Sequence, residues 1–113
     1  MTRWFAVLLA ALLLLLPQPV QAETLEALYG RALQASQSGD FVGALPLWDQ
    51  VLELSPDDAA ALSNRGNVRL ALGDPDGAIV DQTRSIELAP EELDPHLNRG
   101  TAEETLQDWA AAE

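Results

Sequence analysis

Residues 52–56 read LELSP, and residues 86–90, which lie 34 positions later, read IELAP. The same spacing separates SGD at 38–40 from LGD at 72–74. It also separates three arginines, Arg31, Arg65 and Arg99, which are half of the six basic residues in the chain. A fixed period between about 20 and 50 residues indicates a repeat architecture in which successive units stack.

Each 34-residue unit predicts two helices. In the second unit, an Ala-rich stretch that contains Leu62 and Val68 is the first helix. Gly73 suits the left-handed end of that helix, Asp74 suits the N-cap of the next helix, and Pro75 suits its first position. No segment shows the alternating pattern of a strand. The sequence therefore predicts an all-α fold of helix pairs.

Two places in the repeat pattern raise questions about helix boundaries. Pro46 falls inside the second helix of the first unit, where we expect a late start or a mild kink. The third unit ends with DWAAAE at 108–113, where Asp108 is expected to cap a second helix and Trp109 to lie at the turn. We expect the chain to be a fragment of a longer protein, or to receive the missing helix from a partner or from a second copy.

The amino terminus predicts a signal peptide over residues 1–22, with cleavage after Ala22. Arg3 lies in a short leading segment, an apolar run spans 5–16, and PQP at 17–19 precedes small residues at the cleavage point. The alternative is a membrane anchor, but the run is shorter than the roughly 20 residues that a spanning helix needs. Export implies the periplasm, the thylakoid lumen or secretion, with no membrane attachment after cleavage.

The composition of the exported part argues against several partners. It keeps all 18 acidic residues and only five arginines, so residues 23–113 carry a net charge of −13. Such a surface repels phosphate backbones and anionic lipids, which excludes nucleic acid as a favoured partner. The absence of cysteine means that packing alone, without disulfides, stabilises the fold.

Residues for catalysis or metal binding are also lacking. The chain has one histidine, His96, and no cysteine, so nucleophilic triads and zinc sites lack their components. DPDG at 74–77 superficially resembles a calcium loop, but Ala78 and Ser85 occupy positions where that loop needs ligands. We predict a protein that is not an enzyme, with no cofactor and no metal.

With these features the chain resembles the tetratricopeptide repeat family, which shares the 34-residue period and the helix–turn–helix unit. The residues that match the family pattern are Ala32, Ala44, Trp48 and Pro56 in the first unit and Gly66, Ala78 and Pro90 in the second. The departures are Leu28, Leu62 and His96 in place of Trp, Arg69 and Gln82 in place of aromatics, and the three arginines of the 34-residue column in place of Leu. The resemblance implies a right-handed superhelical solenoid of antiparallel helix pairs, with repeats at 25–58 and 59–92 and a partial third repeat at 93–113.

The resemblance also implies a function, which is to bind peptide or protein segments on a concave groove lined by the first helices. The predicted groove residues are Tyr29, Leu33, Ser63, Asn64, Asn67, Asn98 and Thr101, together with Glu26 and Asp94. Asn64 and Asn98 suit hydrogen bonds to an extended backbone because an amide both donates and accepts; the alternative is that they are solvated surface residues. The family's clamp for carboxylate tails is not expected, since only Asn64 fits it and Asp94 would repel a carboxylate.

In the family frame the arginine column faces the second helix of the same unit. We therefore expect Arg65 to pair with Asp81 and Arg31 with Asp49, as structural contacts. The alternative is a ladder of ligand-binding arginines.

The function expected from the sequence is that of an adaptor or assembly factor. Two alternatives stay open: a structural module that self-associates through its open C-terminal end, and the docking arm of a larger protein with a catalytic domain beyond residue 113.

Overall fold

The computed structural model describes residues 15–16 and 23–113. The latter range forms five helices: α1 (Leu25–Gln37), α2 (Phe41–Leu54), α3 (Ala59–Ala71), α4 (Pro75–Leu88) and α5 (Leu93–Ala112). The described residues contain no strand, so the all-α prediction is confirmed. The predicted signal peptide, apart from Leu15 and Leu16, lies outside the described residues.

The helix boundaries in the first two units follow the predicted turn chemistry. Gly39 and Gly73 adopt φ values of 81° and 84°, a left-handed conformation that residues with a Cβ rarely adopt. Asp40 caps α2 by accepting a hydrogen bond from the Gly43 amide at 3.0 Å. Asp74 caps α4 in the same way, with the Gly77 amide at 2.9 Å. Identical chemistry therefore separates the two helices in both units.

The expectation of a late start for α2 is wrong. The helix begins at Phe41, and Pro46 lies within it. Proline removes the amide that would bond the carbonyl four residues earlier, which belongs to Val42. Val42 is 77% exposed, so water can satisfy that carbonyl, and the cap at Asp40 fixes the start of the helix.

The predicted turn at Asp108 is also wrong, because α5 continues through this residue to Ala112. Gln107 occupies the repeat position that Gly39 and Gly73 occupy in the earlier units. Without a glycine there, the left-handed helix end costs energy, and the following Ala-rich stretch favours continued helix. The third unit is therefore a single helix of 20 residues.

The five helices stack as a tetratricopeptide-like solenoid. Within each of the first two units, helices joined by three linking residues pack against each other: α1 against α2, and α3 against α4. Helix α5 packs chiefly against α4, and the first helices of successive units also touch, α1 with α3 and α3 with α5. Among residues 15–16 and 23–113, no helix combines the length and the hydropathy needed to cross a bilayer.

Trp48 is the largest fully buried side chain among the described residues, and it lies in the core of the first unit. It packs with Leu28, Ala32 and Val51, and its indole Nε1 donates to Ser36 Oγ at 2.9 Å. A buried indole N–H requires such a partner, since leaving it unpaired costs energy. Tyr29 packs edge-on against Trp48, with ring centroids 5.0 Å apart.

The second unit has a glycine, Gly66, where the first has the buried Ala32. A Cβ on Gly66 would lie 2.6 Å from Gln82 Nε2 and 3.2 Å from Asp81 Cβ. Gln82 cannot easily move away, because it is buried and its Nε2 donates to the Ser63 carbonyl. The absence of a side chain at Gly66 therefore permits the close approach of α4 to α3.

We expect Gly66→Ala to lower the free energy of unfolding by about 1–3 kcal/mol, as overpacking of a fitted contact usually does. The matched control is Gly100→Ala, at the same repeat position on α5, where a Cβ would meet no atom within 4 Å. That change should raise stability by about 0.5–1 kcal/mol, because alanine is the better helix former. Urea denaturation followed by circular dichroism measures both, and equal effects of the two substitutions would contradict the packing account.

Candidate functional site

A groove of about 530 Å³ lies where α3, the end of α4 and the start of α5 meet. Its lining residues are Asp58, Ala59, Ala60, Ser63, Asn64, Ser85, Ala89, Glu92, Asp94 and Pro95. Three of these carry carboxylates, and none is basic. The alanines and Pro95 add apolar surface between the charged residues.

One wall of the groove is held by hydrogen bonds that cross three helices. Gln82 Nε2, on α4, donates to the Ser63 carbonyl at 2.9 Å and to Asn67 Oδ1 at 3.2 Å. Asn98 Nδ2, on α5, donates to Ser63 Oγ at 3.3 Å. Ser85 Oγ, on α4, donates to the Ala59 carbonyl of α3 at 2.7 Å, which gives these two helices a second hydrogen bond. Among the described residues, the buried Oε1 of Gln82 has no hydrogen-bond partner.

Tyr29, on α1 of the first unit, lies beside the groove residues Asp58 and Asn64. Burial raises the pKa of its hydroxyl above the ordinary value of 10.0, and the Asp58 carboxylate raises that pKa further because it repels a phenolate. A hydrogen bond with Asn64 acts in the opposite direction. The hydroxyl of Tyr29 is therefore placed beside two residues that line the groove.

Asp58 and Glu92 occupy equivalent N-cap positions at the starts of α3 and α5. Asp58 Oδ1 accepts a hydrogen bond from the Ala61 amide at 3.0 Å. Glu92 makes no side-chain capping bond, although its backbone is at the N-cap of α5. Its carboxylate is therefore not committed to holding the helix end.

Of the seven predicted groove residues, Ser63 and Asn64 line the groove. Asn98 is bonded to Ser63 directly and Asn67 through Gln82, and Tyr29 lies beside Asn64. Leu33 instead packs against the hydrophobic core. Thr101 lies on the exposed side of α5, where its hydroxyl donates to the Leu97 carbonyl of the same helix at 3.1 Å. The role of all seven in ligand binding stays a prediction.

Sequence reasoning did not name Asp58, Glu92 or Gln82 as part of this site. The family pattern places ligand contacts on the first helices, whereas Asp58 and Glu92 lie just before them. A signal was available, because these two acids are separated by the 34-residue period. Gln82 occupies a position where the family favours an aromatic residue, and a buried amide there indicates a specific hydrogen-bonded role.

The arginines of the repeat column do not share one partner. Arg65 pairs with Asp81 as predicted, through Nε at 2.9 Å and Nη2 at 2.8 Å. Arg69 also donates to Asp81, at 3.0 Å, so two guanidinium groups hold one carboxylate that is only 1% exposed. Arg65 further contacts Asp49 of α2, at 3.0 Å, and thereby joins the two units.

The predicted pairing of Arg31 with Asp49 is wrong. Arg31 bonds to Glu23, while Asp49 accepts from Arg65 of the next unit. The repeat position of Asp81 is Leu47 in the first unit, so Arg31 has no carboxylate facing it across its own helix pair. Arg99 lies 4.0 Å from Glu103, one turn further along α5. Each of these arginines is engaged with an acid of the same chain.

Within residues 15–16 and 23–113, no three His, Cys, Asp or Glu side chains are grouped so that they could hold a metal ion. The single histidine, His96, has its Nε2 3.0 Å from the Pro90 carbonyl. The groove itself presents carboxylates, hydroxyls, the Asn64 amide and an apolar surface of alanines and Pro95.

Comparison with known proteins supports the repeat assignment. Mouse tetratricopeptide repeat protein 36 is 36% identical over 69 residues, which are 61% of this chain and 37% of that protein. A FAM10 family protein of Arabidopsis thaliana is 30% identical over 74% of this chain and 19% of its own length. A rice protein SGT1 homolog is 31% identical over 75% of this chain and 23% of its own length. No family model matches the chain.

The repeats are tetratricopeptide-like. This conclusion joins the 34-residue period and the packed helix pairs to the similarity with tetratricopeptide repeat protein 36. The chain spans between about a fifth and two-fifths of the length of these three relatives.

The arginine network gives a prediction about stability. Arg65→Ala should lower the free energy of unfolding by about 2–3 kcal/mol, because removing one partner leaves the buried Asp81 carboxylate with Arg69 alone. Arg31→Ala, at the same repeat position, removes only the exposed pair with Glu23 and should cost less than about 1 kcal/mol. Chemical denaturation distinguishes the two. An Arg65→Ala protein as stable as the wild type would show that this network contributes little.

Tyr29 gives a prediction about pH dependence, and it is the only tyrosine in the chain. Because its pKa is raised above 10.0 in the folded state, the contribution to stability is complete below pH 10 and is lost as the pH rises through the folded pKa. Tyrosinate absorbance in the ultraviolet should therefore show a midpoint above 10.0 that falls on unfolding in urea. Asp58→Asn should lower the midpoint of the folded protein and Asn64→Ala should raise it; shifts in the opposite directions would place Tyr29 elsewhere.

Proposed function

We propose that this chain is a non-catalytic protein-interaction module that binds an extended peptide or protein segment in the groove between α3, α4 and α5. The similarity to tetratricopeptide repeat and SGT1 proteins supports an interaction role in general terms. The specific site and the mode of binding are the proposal.

The observation that carries the proposal is the set of amides and hydroxyls that α3 and α5 place in and beside the groove, where Ser63 and Asn64 line it and Asn98 donates to Ser63. Asn64 and Asn98 occupy equivalent positions on α3 and α5. The Nδ2 of Asn98 is used by Ser63, and among the described residues no hydrogen bond engages its Oδ1. Two amides placed one repeat apart suit the alternating donors and acceptors of an extended backbone, because each amide can both donate and accept.

The site also supports binding rather than catalysis. Acid and base catalysts are typically carboxyl groups or imidazoles held in a buried setting. The three groove carboxylates lie at helix starts, where Glu92 and Asp94 are exposed and Asp58 is partly so. Ligand recognition needs only that such groups be placed correctly.

We place this activity in an exported compartment. The support is the sequence of residues 1–22, with its apolar run and the small residues that end at Ala22. Sequencing the amino terminus of protein recovered from the native compartment tests this location. A first residue of Glu23 would support it, and a retained Met1 would contradict it.

Self-association is a second candidate, and one observation favours it. Leu93 and Leu97 lie one turn apart on α5 and are 65% and 59% exposed. Two leucines on one helix face can bury apolar area against another surface. In the docking-arm alternative a catalytic domain lies elsewhere in a larger protein. The groove would then bind a peptide or protein segment, as in the leading proposal.

The proposal predicts that peptide binding depends on Asn64, which lines the groove, and on Asn98, whose amide donates to the groove residue Ser63. In a selection of displayed random peptides against the full chain, we expect enriched sequences whose binding falls about tenfold or more in Asn64→Ala/Asn98→Ala, since each lost hydrogen bond is worth about 0.5–1.5 kcal/mol. Fluorescence anisotropy with the enriched peptides measures the dissociation constants.

The matched control is Gln50→Ala/Gln107→Ala, which removes two exposed amides that do not line the groove. It should leave the affinity within about twofold. Binding that survives the loss of Asn64 and Asn98, or that falls equally in both double variants, would contradict the groove as the site.

A further inference from the structure

We propose that the groove selects positively charged partner segments, with an arginine or lysine side chain of the partner bound among Asp58, Glu92 and Asp94. The inference rests on the proposed function, because it names the class of segment that the same groove binds. It is carried by the charge of the lining, by the pairing of the chain's own arginines and by the shape of the groove.

The lining is one-sided in charge. It holds three carboxylates and no basic side chain. The starts of α3 and α5 bring the positive ends of two helix dipoles to the same place, each equivalent to roughly half a unit charge. These offset about one of the three negative charges, so a net attraction for cations equivalent to about two charges remains.

The chain's own cations do not neutralise this groove. In the described part of the chain every arginine has an acidic partner outside the lining: Arg31 has Glu23, Arg65 and Arg69 have Asp81, Arg84 has Asp57 and Glu87, and Arg99 has Glu103. No ion pair among the described residues involves the three groove carboxylates. The complementary charge therefore has to come from the ligand.

The shape favours a side chain over a bare ion. No three acidic groups in the described residues are close enough together to hold a metal ion. A volume of about 530 Å³ is ample for a long side chain and part of its backbone. Ala59, Ala60 and Pro95 provide an apolar surface on which the methylene stem of arginine or lysine can lie while its charged end reaches a carboxylate.

A second copy of this chain is a poor occupant of the groove. Each copy carries the same large negative charge, and each described arginine is already paired within its own copy. Bringing two such surfaces together is opposed by repulsion, and it would also require an internal ion pair to break. A basic segment of a different protein meets neither obstacle.

The test uses the full chain and three blocked peptides of equal length, made of four Ser-Arg, four Ser-Gln or four Ser-Glu repeats. Isothermal titration at low ionic strength should show the arginine peptide binding at least about tenfold tighter than the glutamine peptide, and the glutamate peptide weakest. The affinity for the arginine peptide should fall as salt is added, because the interacting charges are partly exposed.

Two charge-matched double variants separate the groove from the general acidity of the surface. Glu92→Gln/Asp94→Asn should lower the affinity for the arginine peptide about tenfold. Glu53→Gln/Glu104→Gln removes the same charge at exposed positions outside the lining and should change that affinity less than about twofold. Circular dichroism confirms that both variants keep the helical fold.

The outcomes distinguish this inference from the proposed function. Equal losses in the two double variants would overturn it, since they would show attraction to the whole surface. Equal binding of the arginine and glutamine peptides, sensitive to Asn64→Ala/Asn98→Ala, would overturn charge selection and leave the groove as a peptide site. If none of the three peptides binds and the displayed library yields no groove-dependent sequence, both proposals fail.

Discussion

The close approach of α3 and α4 at Gly66 is the constraint on which the rest of the second unit depends. Because Gly66 lacks a Cβ, the amide of Gln82 can lie directly over the α3 backbone and reach the Ser63 carbonyl. Ser63 in turn accepts from Asn98 and so aligns α5. The contact between Gln82 and Gly66, inside the pair of α3 and α4, therefore fixes the position of Ser63 in the groove wall.

In the two complete units, the contact between the first and second helix is made by different kinds of residues. The first has Trp48 and Leu47 facing Ala32, and the second has Gln82 and Asp81 at the equivalent positions facing Gly66. An apolar contact needs only good packing, whereas a buried amide and carboxylate need partners, which Ser63, Arg65 and Arg69 supply. A polar contact of this kind fixes the relative position of its helices closely, because small shifts break directional bonds.

Most of the fold could be predicted from the sequence because the residues that end and begin its helices are neighbours in the chain. A glycine followed by aspartate ends one helix and caps the next, at Gly39 and again at Gly73, whatever else the chain does. The same reasoning failed at Asp108, where the cap residue is present but the preceding glycine is replaced by Gln107. The partner of Asp49 could not be predicted in this way, because Arg65 belongs to the next unit and the geometry between units is not written into a single repeat. Of the residues that line the groove, the family pattern named Ser63, Asn64 and Asp94, which lie on the first helices. It did not name Asp58 and Glu92, which lie just before those helices and meet in the groove through the stacking of the units.

The stacking of the repeat units also brings carboxylates of this acidic chain together in one groove, which is the basis of the proposed selection of positively charged segments. Exposed carboxylates spread over a surface act weakly, since water and salt screen charges separated by more than about 10 Å. In the groove, the period places Asp58 and Glu92 at the starts of neighbouring first helices, and α5 adds Asp94 beside them on an apolar floor. In the proposed complex, a cationic side chain bound there is attracted by these carboxylates together. Because Asp58 and Glu92 are one repeat apart, their separation depends on how the units pack, and any substitution that loosens the contact at Gly66 would act on the charged site without touching it.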